Sequence, residues 1–335
     1  MKEAMFYSAT EDGKVKCRLC RHTCTISPSK RGICEVRENR GGKLYSLVYR
    51  KAISLAVDPI EKKPLFQFHP GTTSLSMATV GCNFKCLHCQ NSSISQLVRD
   101  HGEIPGRDVS PEDIVKMAKR ERCDNISYTY TEPTIFYEYA YDVAKLAKRE
   151  GLSNVFVTNG YIGEDPLREI SPFLDAANID LKAFNDKFYK QVCGARLDQV
   201  LESIRLHHEL GIWIEVTTLI IPKYNDDREE LKGIAEFLAS VDTAIPWHVS
   251  RFHPDYRLKD APTTPIDTLR AAREIGIKAG LKYVYEGNVP GEEREDTYCP
   301  SCGELLIKRY GFSIMHNIVK GGKCPKCQTQ IDGRF

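Results

Sequence analysis

Residues 81 to 91 read GCNFKCLHCQN, placing Cys82, Cys86 and Cys89 within eight positions with no fourth cysteine nearby. Three thiolates on a cubane [4Fe–4S] cluster leave one iron without a protein ligand. An open coordination position is where a metal does chemistry, because something from outside must complete it. Two other groups hold four cysteines each. Cys17, Cys20, Cys24 and Cys34 lie in CRLCRHTCTISPSKRGIC, spaced C-x2-C-x3-C-x9-C. Four soft ligands in one short segment suit tetrahedral zinc or an iron–sulfur cluster equally well. His22 among them is read as a solvated loop residue. Cys299, Cys302, Cys324 and Cys327 form two C-x2-C knuckles around the β-like runs LLIKRY and FSIMHNIV. That pattern predicts a zinc ribbon, a closed site that stabilises or docks rather than catalyses. Of the two cysteines left over, Cys123 reads as a small buried hydrophobe, and Cys193, in a loop beside Gly194, as a packed thiol or else an exposed one that touches substrate.

The elements that must position these groups alternate. SLSMATV, before the triplet, reads as a buried strand. Helical spacing follows at 111 to 121, with Ser110 as N-cap and Pro111 at the first helical position. Strands are expected at 125–129, 154–158, 176–181, 212–221, 246–252 and 281–287, with helices at 134–149, 198–210, 227–240 and 266–280. Such alternation means right-handed βαβ units and a parallel sheet. The fold class is therefore α/β, a partial or complete (β/α) TIM-like barrel, in which function collects at the carboxyl ends of the strands. The expected division is a four-cysteine module over 1–70, the barrel over 71–290 and the ribbon over 291–335. Residues 1 to 40 show little apolar periodicity, so a metal is expected to organise them.

Bulk composition narrows the setting. A chain of 335 residues, 41% hydrophobic and 27% charged, is an ordinary globular protein. No run of 18 apolar residues is present, which excludes a membrane span, and MKEAMFYSATEDGK lacks the apolar core of a secretory signal. The expectation is a cytoplasmic protein in which disulfides are disfavoured, so that 13 cysteines point to metal. Residues 1 to 70 carry 14 Lys or Arg against 7 Asp or Glu, an excess that metal-bound thiolates would offset and that could otherwise meet RNA. A nucleic-acid-binding protein with structural metal sites is the non-enzyme alternative. Against it, the basic residues are not interleaved with aromatic stacking platforms.

The strand ends are polar. YTYTEPT sets Glu132 after the second strand, VTNG ends the third with Thr158 and Asn159, and NIDLKAF puts Asp180 and Lys182 on one face. VTTLIIPKYND follows the fifth strand, SRFHPDY places Arg251 and His253 after the sixth, and YEGN closes the series. Each has a bland reading alone, as a salt bridge, a helix-start charge or a turn residue. Six in register downstream of the cysteine triplet do not.

CNFKCLHCQN, YTYTEPT, VTNGY, NIDLKAF and RFHPDY resemble the corresponding segments of radical S-adenosylmethionine (SAM) enzymes, in particular the activating enzymes of glycyl-radical proteins. With CRLCRHTC...GICEVREN at the amino terminus and the terminal ribbon, the chain resembles the radical SAM member of the AmmeMemoRadiSam system, which is associated with Memo-type and AMMECR-type proteins. The resemblance implies that Cys82, Cys86 and Cys89 hold a [4Fe–4S] cluster whose open iron binds SAM. It implies Glu132 at the SAM amino group, Asn159, Asp180 and Lys182 near the ribose and carboxylate, and His253 lining the same cavity. Where the family has a Gly-Gly-Glu-like motif, this chain has Tyr130-Thr131-Glu132, and it has Glu215 where activators often carry an arginine. The implied reaction is one-electron cleavage of SAM to methionine and a 5′-deoxyadenosyl radical that abstracts hydrogen, fed by a ferredoxin or flavodoxin. The target is a protein glycine, an RNA or another substrate.

Overall fold

A computed structural model describes residues 1–289 and 294–335. Its centre is an eight-stranded sheet of β1 (Ser54–Pro59), β2 (Thr73–Ala78), β3 (Asn125–Tyr128), β4 (Ser153–Thr158), β5 (Ala176–Asp180), β6 (Trp213–Ile220), β7 (Trp247–Arg251) and β8 (Val284–Gly287), in spatial order 8-7-6-5-4-3-2-1. Strands β2 to β8 are all parallel, and β1 pairs antiparallel with β2. The helices that return the chain are α1 (Pro111–Arg120), α2 (Tyr137–Arg149), α3 (Glu164–Ile170), α4 (Leu197–Glu209), α5 (Arg228–Val241) and α6 (Ile266–Lys278). Helix α1 starts as the sequence predicts: Ser110 Oγ accepts the Asp113 amide at 3.1 Å and Pro111 occupies the first turn. Asp227 caps α5 by accepting the amides of Glu229 and Glu230.

The complete barrel is not formed. β1 and β8 are the two edges of an open sheet. β1 was not expected from sequence. It runs antiparallel to β2, with Ser54 opposite Ala78 and Pro59 opposite Thr73. Alternation along the strands divides the two faces. Phe156, Ala177, Ile179, Ile214 and Val216 pack with the helices, whereas Val155 and Ala176 pack with Ile60, Leu65 and Phe68. Residues 60 to 68 thus fill the second face, where the Asn178 amide donates to Pro64 O at 2.8 Å. The Glu215 carboxylate accepts the Phe66 and Gln67 amides at 2.9 and 2.8 Å.

The amino-terminal residues contain more structure than their pattern suggests. Two three-stranded antiparallel sheets form, one from Lys2–Glu3, Arg37–Arg40 and Lys43–Ser46, the other from Tyr7–Ala9, Val15–Cys17 and Thr25–Ile26. Strands of two to four residues are too short to show alternation, yet Val15, Ile26, Val36, Leu44 and Val48 are buried in the main core. Arg37, 2% exposed, pins this segment to α2 through two hydrogen bonds to Glu138 at 2.8 and 3.1 Å.

At the other terminus Thr297–Tyr298, Leu305–Tyr310 and Ser313–Asn317 form a three-stranded antiparallel sheet. It docks through a cluster of Leu306, Ile307 and Ile331 with Phe66, Tyr283 and Tyr285. Arg309 is buried there, donating to Phe66 O at 2.7 Å with its guanidinium 4.3 Å from the Phe66 ring centroid. The boundary expected between 290 and 291 lies outside the described residues.

Candidate metal and cofactor site

Cys82 follows β2 by four residues, at the carboxyl end of the sheet. Gly81 has φ +99°, and a Cβ there would stand 2.7 Å from Val36 Cγ1 and 3.3 Å from the Cys34 carbonyl, so only glycine lets the two loops touch. Beyond it the loop is held from several sides. The Lys85 and Leu87 amides donate to Cys193 O and Val192 O at 2.9 and 3.1 Å. Arg99 donates to Phe84 O at 3.2 Å and to Ile33 O at 3.1 Å. The thiols also meet polar groups. The Phe84 amide points at Cys82 Sγ from 3.3 Å, and Cys89 Sγ lies 3.0 Å from Ser95 Oγ. Cys86 meets the thiol of Cys193, which holds Cys86 below the usual thiol range.

The expected strand-end residues gather near this loop. Glu132, 1% exposed, accepts on Oε1 from the Thr134 amide, Thr134 Oγ1 and Thr158 Oγ1, and on Oε2 from the Asn159 amide at 2.8 Å. Burial raises its carboxyl above the ordinary range against the pull of those donors, the Asn159 amide first. Asn159 Nδ2 donates to Asn83 Oδ1 at 2.8 Å and lies 3.8 Å from Cys82 Sγ, linking the carboxylate to the cysteine loop. Asp180 and Lys182 form an ion pair at 2.9 Å. Burial alone would lower the Lys182 ammonium, but Asp180, Cys86 and Cys193 raise it overall, which places it beside the cysteine loop. His253 is exposed, its Nδ1 3.4 Å from Gln90 Nε2, just past Cys89.

Tyr130 occupies the position where related motifs have glycine, and it takes a glycine-like conformation, φ +65°. A tyrosine in the left-handed region is strained by about 1 kcal/mol and persists only if it is held. Tyr130 Oη donates to Asp58, which also accepts Ser76 Oγ at 2.6 Å and Lys63 Nζ at 2.8 Å. The Lys63 ammonium lies 4.6 Å from the Tyr130 ring centroid. Burial lowers the Lys63 ammonium to about 8, whereas hydrogen bonds from Lys62, Lys63, Ser76 and Tyr130 overcome burial and hold Asp58 far below its ordinary range.

The residues present fit an iron–sulfur cluster with a polar ligand beside it. Asn83 Nδ2 and Thr131 Oγ1, next to Cys82 and Glu132, are buried without a partner, and Glu132 Oε2 keeps acceptor capacity. Asn83 and Asp58 were not singled out from sequence, and Tyr130 and Thr131 were noted only as departures from a glycine motif. Asn83 and Thr131 lie inside motifs that were singled out, between residues that drew the attention. Of the two readings of Cys193 the structure takes the packed one, because the thiol is fully buried. Residues 189–193 form a π turn closed by Gly194 at φ +74°, and this turns the thiol inward onto the cysteine loop. Glu215 lies low on β6 at 0% exposure, bound also to Trp213 Nε1 and His248 Nε2, where it anchors residues 66–67 rather than standing at a strand end. Cys123 is buried, as expected.

The four-cysteine groups differ. In the carboxyl-terminal group all four Sγ atoms lie within 4.8 Å of one another, with Cys299–Cys327 at 3.6 Å and Cys302–Cys324 at 3.7 Å. A tetrahedral ion with ~2.3 Å metal–sulfur bonds sets its sulfurs about 3.8 Å apart, so this group can close around one metal ion. Among the described residues no other set of three or more Cys, His, Asp or Glu is gathered so tightly. Cys17, Cys20, Cys24 and Cys34 face one another across an enclosed space, near enough that Cys20 feels the other three. His22 is not free in solvent: its Nε2 lies 2.9 Å from Asn83 O and its ring packs 4.7 Å from Tyr161.

Residues 77–238 match the description of the Radical SAM superfamily. The chain is 52% identical over 335 residues to MJ0808, an uncharacterized protein of Methanocaldococcus jannaschii, covering 99% of each. It is 21% identical over 197 residues to the pyruvate formate-lyase-activating enzyme of Clostridium pasteurianum, covering 54% of this chain and 80% of that one. Its fold is similar to a radical SAM methyltransferase from Sphaerobacter thermophilus, with TM-score 0.51 and 14% identity over 65% of this chain and 67% of the other.

Proposed function

We propose, from the Radical SAM superfamily domain matched over residues 77–238 and the likeness to a glycyl-radical activating enzyme, that the chain cleaves SAM reductively and directs the product radical at a substrate. Cys82, Cys86 and Cys89 hold the [4Fe–4S] cluster. When bound there, the cluster and SAM supply a 5′-deoxyadenosyl radical that abstracts a hydrogen atom. The chain's own tasks are to bind, orient and dry the site. Glu132 accepts from the SAM amino group with Oε2, its other oxygen being committed to Thr134 and Thr158. Asn83 and Thr131 offer their unpartnered polar atoms. Asn159, Asp180 and Lys182 stand toward the ribose and carboxylate, and His253 at the rim.

The observation that carries this reading is the cysteine loop linked through Asn159 to a buried carboxylate at the next strand ends. The carboxyl-terminal cysteines are assigned zinc, and the amino-terminal four zinc or a second iron–sulfur cluster. The electron comes from a ferredoxin or flavodoxin in the cytoplasm, and the AmmeMemoRadiSam assignment makes Memo-type and AMMECR-type proteins the first partners to try. Likeness to a pyruvate formate-lyase-activating enzyme supports a protein glycine as the hydrogen donor.

The test is anaerobic reconstitution with iron and sulfide, then dithionite and SAM, following 5′-deoxyadenosine by mass spectrometry. Formation that is lost in Cys82→Ala supports the reading. A fully iron-loaded protein that makes none, alone or with those partners, overturns it.

A further inference from the structure

The amino-terminal cysteines stand apart from the ribbon in three respects. The first is spacing. The ribbon thiols are drawn together to the edge of a single-ion tetrahedron, and no three of Cys17, Cys20, Cys24 and Cys34 lie within 4.8 Å of one another. In this they behave like Cys82, Cys86 and Cys89, which also stay apart. A cubane cluster carries its thiolates on the outer corners of a cage of iron and sulfide, and so needs them spread.

The second respect is the space between them. All four cysteines line one largely enclosed pocket, walled by Leu19, Ile26, Ile33 and Ile135. An apolar wall suits a cluster, whose potential depends on exclusion of water. Besides the cysteines, two polar side chains line the pocket, His22 and Arg37, and only Arg37 brings a buried nitrogen with no partner. That nitrogen is Nε; the other two bind Glu138 and Met5 O. A buried N–H left unpaired costs about 1–3 kcal/mol. A sulfur at the cluster is the acceptor it lacks.

The third respect is place. The cavity adjoins the loop of Cys82. Cys34 O meets Gly81, His22 Nε2 reaches Asn83 O, and Arg99 bonds Ile33 O as well as Phe84 O. The ribbon has no such link among the hydrogen bonds of the described residues; it docks on residues 66–67 and Tyr285.

We propose that Cys17, Cys20, Cys24 and Cys34 hold an auxiliary [4Fe–4S] cluster, with Arg37 Nε donating to one of its sulfurs, packed directly against the loop of the SAM-binding cluster. The four thiolates close this cluster, so it offers no open iron and exchanges electrons only. Its neighbourhood to the other cluster rests on the reading of Cys82, Cys86 and Cys89 given above; its own composition does not.

The full chain, reconstituted anaerobically with iron and sulfide, is compared with a Cys82→Ala/Cys86→Ala/Cys89→Ala variant by counting iron, sulfide and zinc. The expected variant keeps about four irons and four sulfides per chain, with one zinc from the ribbon. Two zincs and no sulfide in that variant overturn the proposal, whatever the unaltered protein does with SAM. A folded Cys20→Ala/Cys34→Ala variant gives the converse count: a fall from about eight irons to about four is expected, and an unchanged iron content overturns the proposal. If both variants keep about four irons yet the unaltered protein forms no 5′-deoxyadenosine, alone or with the Memo-type and AMMECR-type proteins, the SAM reading fails and this one stands. In the unaltered protein, reduction of both clusters is expected to give an electron paramagnetic resonance signal broadened by mutual interaction. A signal equal to the sum of the two variants' signals contradicts the packing of the two sites.

Discussion

Two glutamates, both essentially without exposure, lie on opposite sides of this architecture and each accepts four hydrogen bonds. Glu215 shares them evenly: the Gln67 amide and Trp213 Nε1 on Oε1, the Phe66 amide and His248 Nε2 on Oε2. Glu132 crowds three on Oε1 and leaves Oε2 with the Asn159 amide alone. A carboxylate has about four acceptor positions, two on each oxygen, so the even distribution is saturated and the uneven one is not. Equal burial and equal donor count therefore conceal different roles. One carboxylate closes a structure, and the other keeps a vacancy beside polar atoms of Asn83 and Thr131 that also lack partners. The position relative to the strands agrees, because function on such sheets collects at the carboxyl ends and stability at the amino ends.

The largest effect should come from breaking the saturated end. Glu215→Ala strands two backbone amides, an indole N–H and a histidine in a dry interior. The expected loss is about 3–5 kcal/mol of stability, read as a fall of several degrees in melting temperature, while the SAM affinity of the folded fraction stays unchanged. An affinity that falls in step with stability would erase the distinction between the two ends.

Glu132→Gln is the converse. The amide cannot accept with both termini, and the charge that would meet the SAM amino group is gone. A charge-assisted hydrogen bond is worth about 1.5–3 kcal/mol, so SAM should bind roughly 10- to 100-fold more weakly by calorimetry at a full iron load. Unaltered SAM affinity would reduce Glu132 to a second structural carboxylate. Tyr130→Phe sharpens the same point with a smaller change. It removes the bond to Asp58 that restrains a left-handed tyrosine two residues before Glu132, and about 1 kcal/mol, or a fivefold weaker SAM affinity, is expected. Tyr130→Gly, which needs no restraint at φ +65°, should restore most of it.

How much of this could be read from sequence follows from distance along the chain. Cys82, Cys86 and Cys89 are contiguous, and the parallel sheet announces itself because β4, β5 and β6 are apolar runs set between helices. Polar residues at strand ends were legible for the same reason, each standing next to its own strand. The network of Glu215 was not, because its amide partners lie 149 and 148 positions away. Tyr130 takes its restraint from Asp58, 72 positions earlier, on a strand that no alternation revealed. The inward turn of Cys193 depends on a π turn, whose single extra residue per turn leaves no periodic trace.

The smallest expected effect concerns a third carboxyl, close to the docked carboxyl-terminal sheet. Glu295 has no saturated set of donors. Burial pushes its pKa from 4.5 to about 7, with Arg309 opposing and Asp296 assisting. Between those two values the folded protein holds a proton that the unfolded chain has released, so stability should fall as pH rises from 4.5 toward 7 and level off above. Glu295 is partly exposed and screened, which limits the change to about 1 kcal/mol. Glu295→Gln has no proton to lose there, so the variant should match the parent at low pH and exceed it by that amount above neutrality. Urea unfolding at several pH values reads the difference. Parallel curves for variant and parent would mean that Arg309 already neutralises Glu295. The interface of that sheet would then be as saturated as the pocket of Glu215, and Glu132 would be the one carboxyl of the three left with room for a ligand.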